Sequence, residues 1–433
     1  MTESSAAGDV AREVATLTSA ATGTWRRAGV AGAAIGVIAA GAAAGVAIER
    51  LTVGRGMRKK ARLALDSSGP YGGLRGTPGT ARADDGTELY YETDEVEAEE
   101  TGKAGKGGAK GATDGTAGSA SAAAPRRRRL FGRRTPAPVT VVFSHGYCLN
   151  QDSWHFQRAA LRGLVRTVHW DQRSHGRSAR GASQRGPGAV PVTIDQLGRD
   201  LKAVIDAAAP EGPLVLVGHS MGGMTIMALA DQYPELIRER VVGAAFVGTS
   251  SGRLGEVNYG LPLAGVNAVR RVLPGVLRAL GSQADLVERG RRATADLFAG
   301  LIKRYSFSSK DVDPAVVRFA ERLIEGTPID VVAEFYPAFA DHDKTAALDV
   351  FLEVPALILA GVSDLVTPSS HSEAIADLLP DAELVLVPDA GHLVMLEHPE
   401  AVTDRLADLL ARVGAVPAET NVGTYGTTAQ PGD

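Results

Sequence analysis

The pentapeptide Gly218-His219-Ser220-Met221-Gly222 follows an apolar run and precedes an amphipathic one. In that setting G-x-S-x-G places a serine at a sharp strand-to-helix turn. Small residues are needed on both sides of the apex, because a Cβ there would meet the neighbouring strand and helix. Gly218 and Gly222 supply them. The serine is then forced outward at a helix N-terminus, where the helix dipole favours developing negative charge. The plainer alternative is a Gly-rich turn in which Ser220 only caps the helix.

A serine hydroxyl is a weak nucleophile and needs a base. The chain has nine histidines, so position must decide. His392 in "VPDAGHLVMLEHP" lies just past the last strand-like run, where a loop can return over the sheet edge. His398, beside Pro399, reads as a helix-start residue. The base needs an acid to fix its tautomer and stabilise the imidazolium. Asp364 in "LILAGVSDLVTP" sits just beyond a fully apolar run, whereas Asp389 shares the loop of His392. The sequence "TSSG" after the run ending near Gly248 offers no carboxylate. Oxyanion donors are expected from the backbone N–H groups of Tyr147, in "VVFSHGYCLN", and of Met221. Losing one such donor typically costs about 2.7–4 kcal/mol. His145 and Gly146 read as supports of that loop. Cys148 reads as a packed thiol near the site, since no cysteine-specific pairing is visible.

These residues need a scaffold, and the pattern from Val139 onward provides one. Strand-like runs at Val139–Ser144, Val165–Trp170, Leu214–Gly218, Val241–Val247, Ala356–Ala360 and Leu384–Val387 alternate with amphipathic ones. The helical runs are Asp152–Gly163, Ile194–Ala208, Gly222–Gln232, Glu373–Leu379 and Ala401–Val413. Such alternation predicts an α/β fold, a mostly parallel sheet with helices on both faces. Between Ser251 and about Asp349 the strand signals stop, and helices including Ala284–Arg304 and Pro314–Ile324 take over. An all-helical insertion at this point reads as a cap over the active edge. Upstream, two short strand-like runs flank Asp84-Asp85-Gly86, a hairpin signal.

The region Thr87 to Val413 resembles the α/β-hydrolase superfamily, in its capped branch. The residues that carry the resemblance are "SHGYCLN", "WDQRSHGRS", "VGHSMGG", "AGVSDLVTP" and "DAGHLV", in the family's order. Ser174 stands where the family's D-x-R-G-H-G-x-S loop usually has glycine, a departure in a support loop. The resemblance implies an eight-stranded sheet and a Ser220–Asp364–His392 triad with Tyr147 and Met221 as oxyanion donors. It implies an acyl-serine route, since related epoxide hydrolases and dehalogenases carry aspartate at the apex. No metal or organic cofactor is needed for that route. The leading expectation is a serine hydrolase acting on a carboxylic ester of a small acyl substrate. A proline-iminopeptidase-like peptidase would use an acidic pair in the cap, with Glu321, Glu325 and Glu334 available. Acyl transfer to another acceptor and a catalytically weak binding or scaffold protein are the remaining readings.

The chain has 433 residues, 44% of them apolar, enough for a sizeable core. A net charge of −4 gives no reason to expect a nucleic-acid partner. The single cysteine excludes an internal disulfide. The expected divisions are a polar lead (1–27), a transmembrane helix (28–48), a basic linker (49–79), the core (80–250), the cap (251–349), the second part of the core (350–413) and a disordered tail (414–433). Residues Ala28 to Ile48 form an uncharged, Ala- and Gly-rich run long enough to cross a bilayer, for which a transmembrane anchor leads over a signal peptide and a flexible segment. More basic residues follow it than precede it, which predicts a single-pass anchor with a cytoplasmic catalytic domain. A low-complexity insertion at 94–138 begins acidic and ends in "RRRRLFGRR". Its Arg126–Arg134 region is a candidate contact for an anionic membrane surface. By resemblance to the fold, this insertion and the anchor linker would both enter on the side away from Ser220, with the mouth facing away from the bilayer.

Overall fold

The computed structural model describes residues 71–97, 137–257 apart from 187, residue 275, 304–309 and 311–416. The anchor at 28–48, the arginine run at 126–134, most of the helix at 284–304 and the tail beyond 416 lie outside the described residues. Among the described residues no helix is long and apolar enough to cross a membrane.

The elements run β1 (Thr77–Arg82), β2 (Glu88–Asp94), β3 (Thr140–Ser144), α1 (His155–Leu161), β4 (Arg166–Trp170), α2 (Ile194–Ala208), β5 (Leu214–His219), α3 (Met221–Gln232), α4 (Pro234–Arg240) and β6 (Val241–Val247). They continue with α5 (Pro314–Glu325), α6 (Ile329–Ala340), β7 (Ala356–Gly361), α7 (Ser369–Leu378), β8 (Glu383–Val387), α8 (Val394–Glu397) and α9 (Pro399–Arg412). Among the described residues eight strands form one sheet in the order β1-β2-β4-β3-β5-β6-β7-β8. β2 is antiparallel to both β1 and β4, and all later pairings are parallel. The hairpin at Asp84-Asp85-Gly86 closes with Ala83 N–H on Thr87 O (2.9 Å) and Gly86 at φ +84°.

The period of two along each strand divides the core. Val141, Phe143, Val215, Val217, Leu357 and Leu359 face α1 and α9, where Leu406 and Leu409 meet them. Val142, Leu214, Leu216, Phe246 and Ile358 face α2, α3 and α7. With both faces covered, the central strands read as unbroken apolar runs. The helices begin where their caps say. Thr193 accepts from Gln196 N–H at the start of α2, and Asp313 accepts from Ala315 N–H at the start of α5.

The register fixes the geography. Asp94, the end of β2, pairs with Thr167 near the start of β4, and Thr140 starts β3 opposite Leu214. The described residues on either side of 98–136 therefore lie at the edge opposite Ser220. Only Asp94, at the very start of the 94–138 stretch, belongs to the core, while Glu95 and Glu97 are exposed. Asp94 and Glu92 are buried partners of Arg158 at 2.7 and 2.8 Å, and Val96 bridges to Gly163. Composition does not reveal the buried arginine that Glu92 and Asp94 neutralise.

The N-terminal linker joins the sheet at that same far edge, where Thr77 at the start of β1 pairs with Thr93. The residues just before it reach further. Arg75 pairs with Asp152 (2.8 Å), Gly72 N–H donates to His155 Nδ1 (3.2 Å), and the Tyr71 ring lies 5.7 Å from that of Phe319 on α5. Residues 71–76 thus run from that edge along α1 to α5, in the 251–349 insertion. The cause is aromatic: Tyr71 meets His155, Phe156 and Phe319 together.

Candidate active site

β5 delivers Ser220 and α3 leaves it. Ser220 has φ +51° and ψ −118°, a conformation costly for a residue with a side chain. The turn is held by Ser220 N–H on Val247 O (2.9 Å) and by the Thr249 hydroxyl on Ser220 O (2.7 Å). The flanking glycines are steric requirements. A Cβ on Gly218 would lie 2.5 Å from the Gly222 carbonyl carbon, and one on Gly222 would overlap the Ser144 carbonyl. The Ser220 side chain makes no capping bond to α3. Instead its Oγ lies 3.0 Å from His392 Nε2.

His392 Nδ1 lies 2.8 Å from Asp364 Oδ2. With Nδ1 donating to the carboxylate, Nε2 is left to accept the Ser220 proton. Asp364 is buried and carries four interactions. Its Oδ1 accepts from Val366 N–H (2.7 Å) and Thr367 N–H (2.9 Å), while its Oδ2 takes His392 and the Thr367 hydroxyl (2.9 Å). Burial alone would raise its pKa. The charge and hydrogen bond of His392 and the two backbone donors outweigh that and hold the carboxyl below its ordinary value. Asp389 is exposed at φ +52°, and its carbonyl faces His398 Nε2 (3.3 Å), so neither competitor joins the cluster.

The loop after β3 comes up beside the serine. A Cβ on Gly146 would lie 3.2 Å from Ser220 Cβ. His145 is buried, with Nδ1 donating to Gly146 O (2.7 Å) and Nε2 accepting from Gln172 N–H (2.9 Å). Burial, aided by His175, pushes its pKa down to about 3, so it is a neutral brace. Among the described residues, the N–H groups of Tyr147 and Met221 are not used in the loop hydrogen bonds. The Tyr147 hydroxyl donates to Val332 O on α6 (2.5 Å), and its ring packs on Phe335 and Phe339. α6, a described part of the 251–349 insertion, therefore lies against this loop. Cys148, half-buried at φ +59°, donates its N–H to His175 Nε2 (3.3 Å).

Several supports escaped the sequence reading. Gln172 gives its amide N–H to His145 O (2.6 Å) and accepts from Thr225 on α3 (3.0 Å), tying two loops of the site together. Thr367 reaches the Gly248 carbonyl at 2.8 Å. Its signal was present in Asp364-x-x-Thr367, where an aspartate accepts from amides two and three residues on. Ser174 keeps the left-handed backbone of the glycine it replaces, at φ +64°, and its hydroxyl accepts from Gly181 N–H (3.0 Å).

With this geometry in view, the comparisons with known proteins become decisive for the family. The model of the alpha/beta hydrolase family matches residues 141–405. The chain belongs to this family. The α/β hydrolase is 27% identical over 274 residues to a Pseudomonas putida protein named as the dihydrolipoyllysine-residue acetyltransferase component of an acetoin cleaving system. That match takes in 63% of this chain and 63% of the relative's length. It is 29% identical over 274 residues to a mouse sn-1-specific diacylglycerol lipase, covering 63% of this chain and 80% of the lipase. Its fold is that of a thermophilic esterase from Thermogutta terrifontis, with TM-score 0.52 and 22% identity over 78% of this chain and 98% of that one. An enol-lactonase from Burkholderia xenovorans is similar in fold, with TM-score 0.53 and 22% identity over 77% of this chain and 100% of that one.

Proposed function

We propose that this α/β hydrolase is a serine hydrolase that cleaves a carboxylic ester through an acyl-serine intermediate. The observation that carries the reading is the unbroken relay from Asp364 through His392 to Ser220, with steps of 2.8 and 3.0 Å, at the apex of a strained turn. Ser220 attacks the acyl carbon while His392 Nε2 takes its proton. The Tyr147 and Met221 N–H groups receive the oxyanion. His392 then returns the proton to the leaving alcohol and activates water to release the acid. The lipase name of the mouse relative supports an ester over an amide. The acetyltransferase name of the P. putida relative supports acyl transfer to a non-water acceptor as a second reading.

The peptidase reading needs a free acidic pair, and its candidates are engaged. Arg318 takes Glu321 at 2.8 Å and lies 3.9 Å from Glu325, while Arg180 takes both Glu334 and Asp330. A fluorophosphonate probe followed by a panel of esters and aminoacyl amides tests the proposal. Labelling and ester turnover are expected, with Ser220→Ala losing at least ~10³-fold. Near-normal turnover by Ser220→Ala refutes the assignment, and absence of labelling favours a binding protein.

A further inference from the structure

Three consecutive main-chain groups around His392 are anchored. Gly391 N–H donates to Glu397 Oε2 (2.6 Å). The His392 carbonyl accepts from His219 Nε2 (2.9 Å), and Leu393 N–H donates to Ser306 O (2.9 Å). Two of these anchors lead into the 251–349 insertion. Ser306 belongs to it, and Glu397 also accepts from the N–H groups of Ser308 (2.9 Å) and Ser309 (2.7 Å) through Oε1. The two backbones are pressed together, since a Cβ on Gly391 would lie 2.8 Å from Ser306 O.

A carboxylate suits this position because it only accepts, and each oxygen carries two lone pairs. One oxygen serves the loop of His392 and the other serves the 306–309 segment. Both attachments are to main chain, so Glu397 clamps the paths of two backbones and leaves their side chains free. It sits at the end of α8, the short helix that turns the chain back toward Gly391.

Resting on the serine-hydrolase reading, we propose that Glu397 is a positioning residue that couples the seating of the cap segment 306–309 to the placement of His392. When the cap segment is seated, Gly391 is held and the imidazole meets both Asp364 and Ser220. When the clamp is lost, the base keeps its partners in kind but not in geometry. A misplacement of about 1 Å can cost ~10²-fold in rate.

The test compares Glu397→Gln with wild type in the full chain. Glutamine offers one accepting oxygen, so either the Gly391 side or the Ser308–Ser309 side faces an N–H donor. Both kcat on a p-nitrophenyl ester and the rate of fluorophosphonate labelling are expected to fall ~10–100-fold together. KM should stay within about threefold, as for a group acting on the chemical step. Exposed Glu400→Gln serves as the control and should match wild type. If Glu397→Gln does not fold, Glu397→Asp, which keeps the charge on a shorter arm, is expected to show an intermediate loss in both rates. A folded variant with wild-type kcat and labelling rate but a lowered Tm overturns the inference and makes Glu397 a structural brace. Wild type that resists the probe overturns the hydrolase reading and this inference with it.

Discussion

His219 Nε2 donates to the main-chain carbonyl of His392 at 2.9 Å, so the residue beside the nucleophile holds the backbone of the base. A carbonyl only accepts, which fixes His219 as the Nε2–H tautomer. Burial, with the nearby charge of His392, pushes its pKa down to about 3, so it stays neutral. His219→Asn is too short to reach the carbonyl. It is expected to lower kcat by ~10–100-fold through displacement of the base. It also leaves a buried acceptor unpaired, at a cost of about 1–3 kcal/mol in unfolding free energy. An unchanged kcat in a folded variant would show that this bond does not place His392.

The glycines of the turn give a sharper steric expectation. Gly222→Ala drives a methyl group into the Ser144 carbonyl at the end of β3. Neither group can move without disturbing the sheet or the start of α3. Overpacking of this kind typically costs about 1–3 kcal/mol. Gly222→Ala is therefore expected to lower Tm and to abolish fluorophosphonate labelling. Gly186→Ala, with nothing within 4 Å of the added carbon, is a contrast limited to local backbone strain. Equal labelling of Gly222→Ala and wild type would remove the steric argument.

Where local pattern carries the information, sequence and structure agree closely. β6 and α2 have the boundaries their periodicity predicts, and Ser220, Asp364 and His392 each sit just past a strand. The helices at Pro234–Arg240 and Ile329–Ala340 were not singled out. The first is barely two turns long and starts on proline, and the second carries Pro337 inside it. The supports of the site were illegible for another reason. Glu397 and Ser308 are 89 residues apart, and Thr367 and Gly248 are 119 apart. No spacing rule connects them. The contact of residues 71–76 with α1 and α5 was equally illegible, because "YGGLRG" has no period and its course depends on Phe319 far along the chain.

That linker makes its own expectation. Tyr71 lies 5.5 Å from His155, 5.6 Å from Phe156 and 5.7 Å from Phe319, ring to ring. Aromatic pairs contribute about 0.5–1.5 kcal/mol each beyond their burial. Tyr71→Ala is expected to lower Tm and loosen α5 against α1. If the 251–349 insertion that holds α5 covers the substrate, KM should rise by ~2–10-fold, the factor that about 0.5–1.4 kcal/mol represents. Steady-state kinetics on one ester decides it: a lowered Tm with unchanged KM would confine Tyr71 to a role in stability.

Acid should unfold this protein early. His145, His169, His175 and His219 are all buried, and burial is the first cause of their depressed pKa values. His145 and His219 fall to about 3, His175 to about 4, and His169 well below its ordinary value. The unfolded chain binds these protons near pH ~6.5 while the folded chain refuses them. Their contribution is therefore complete above pH ~6.5 and is lost as pH falls toward the folded values, at about 1.4 kcal/mol per pH unit for each histidine. Asp171 works the other way. Burial raises it to about 6, so the folded state gains a proton below that pH and offsets part of the loss. His155, which burial also lowers, to about 4, adds to the loss, so the unfolded state binds more protons between pH 6 and 5 and unfolding free energy should fall over that interval. Urea unfolding at pH 7.5, 6 and 5 measures it. A midpoint that stays level across that range would mean these histidines are protonated inside the fold.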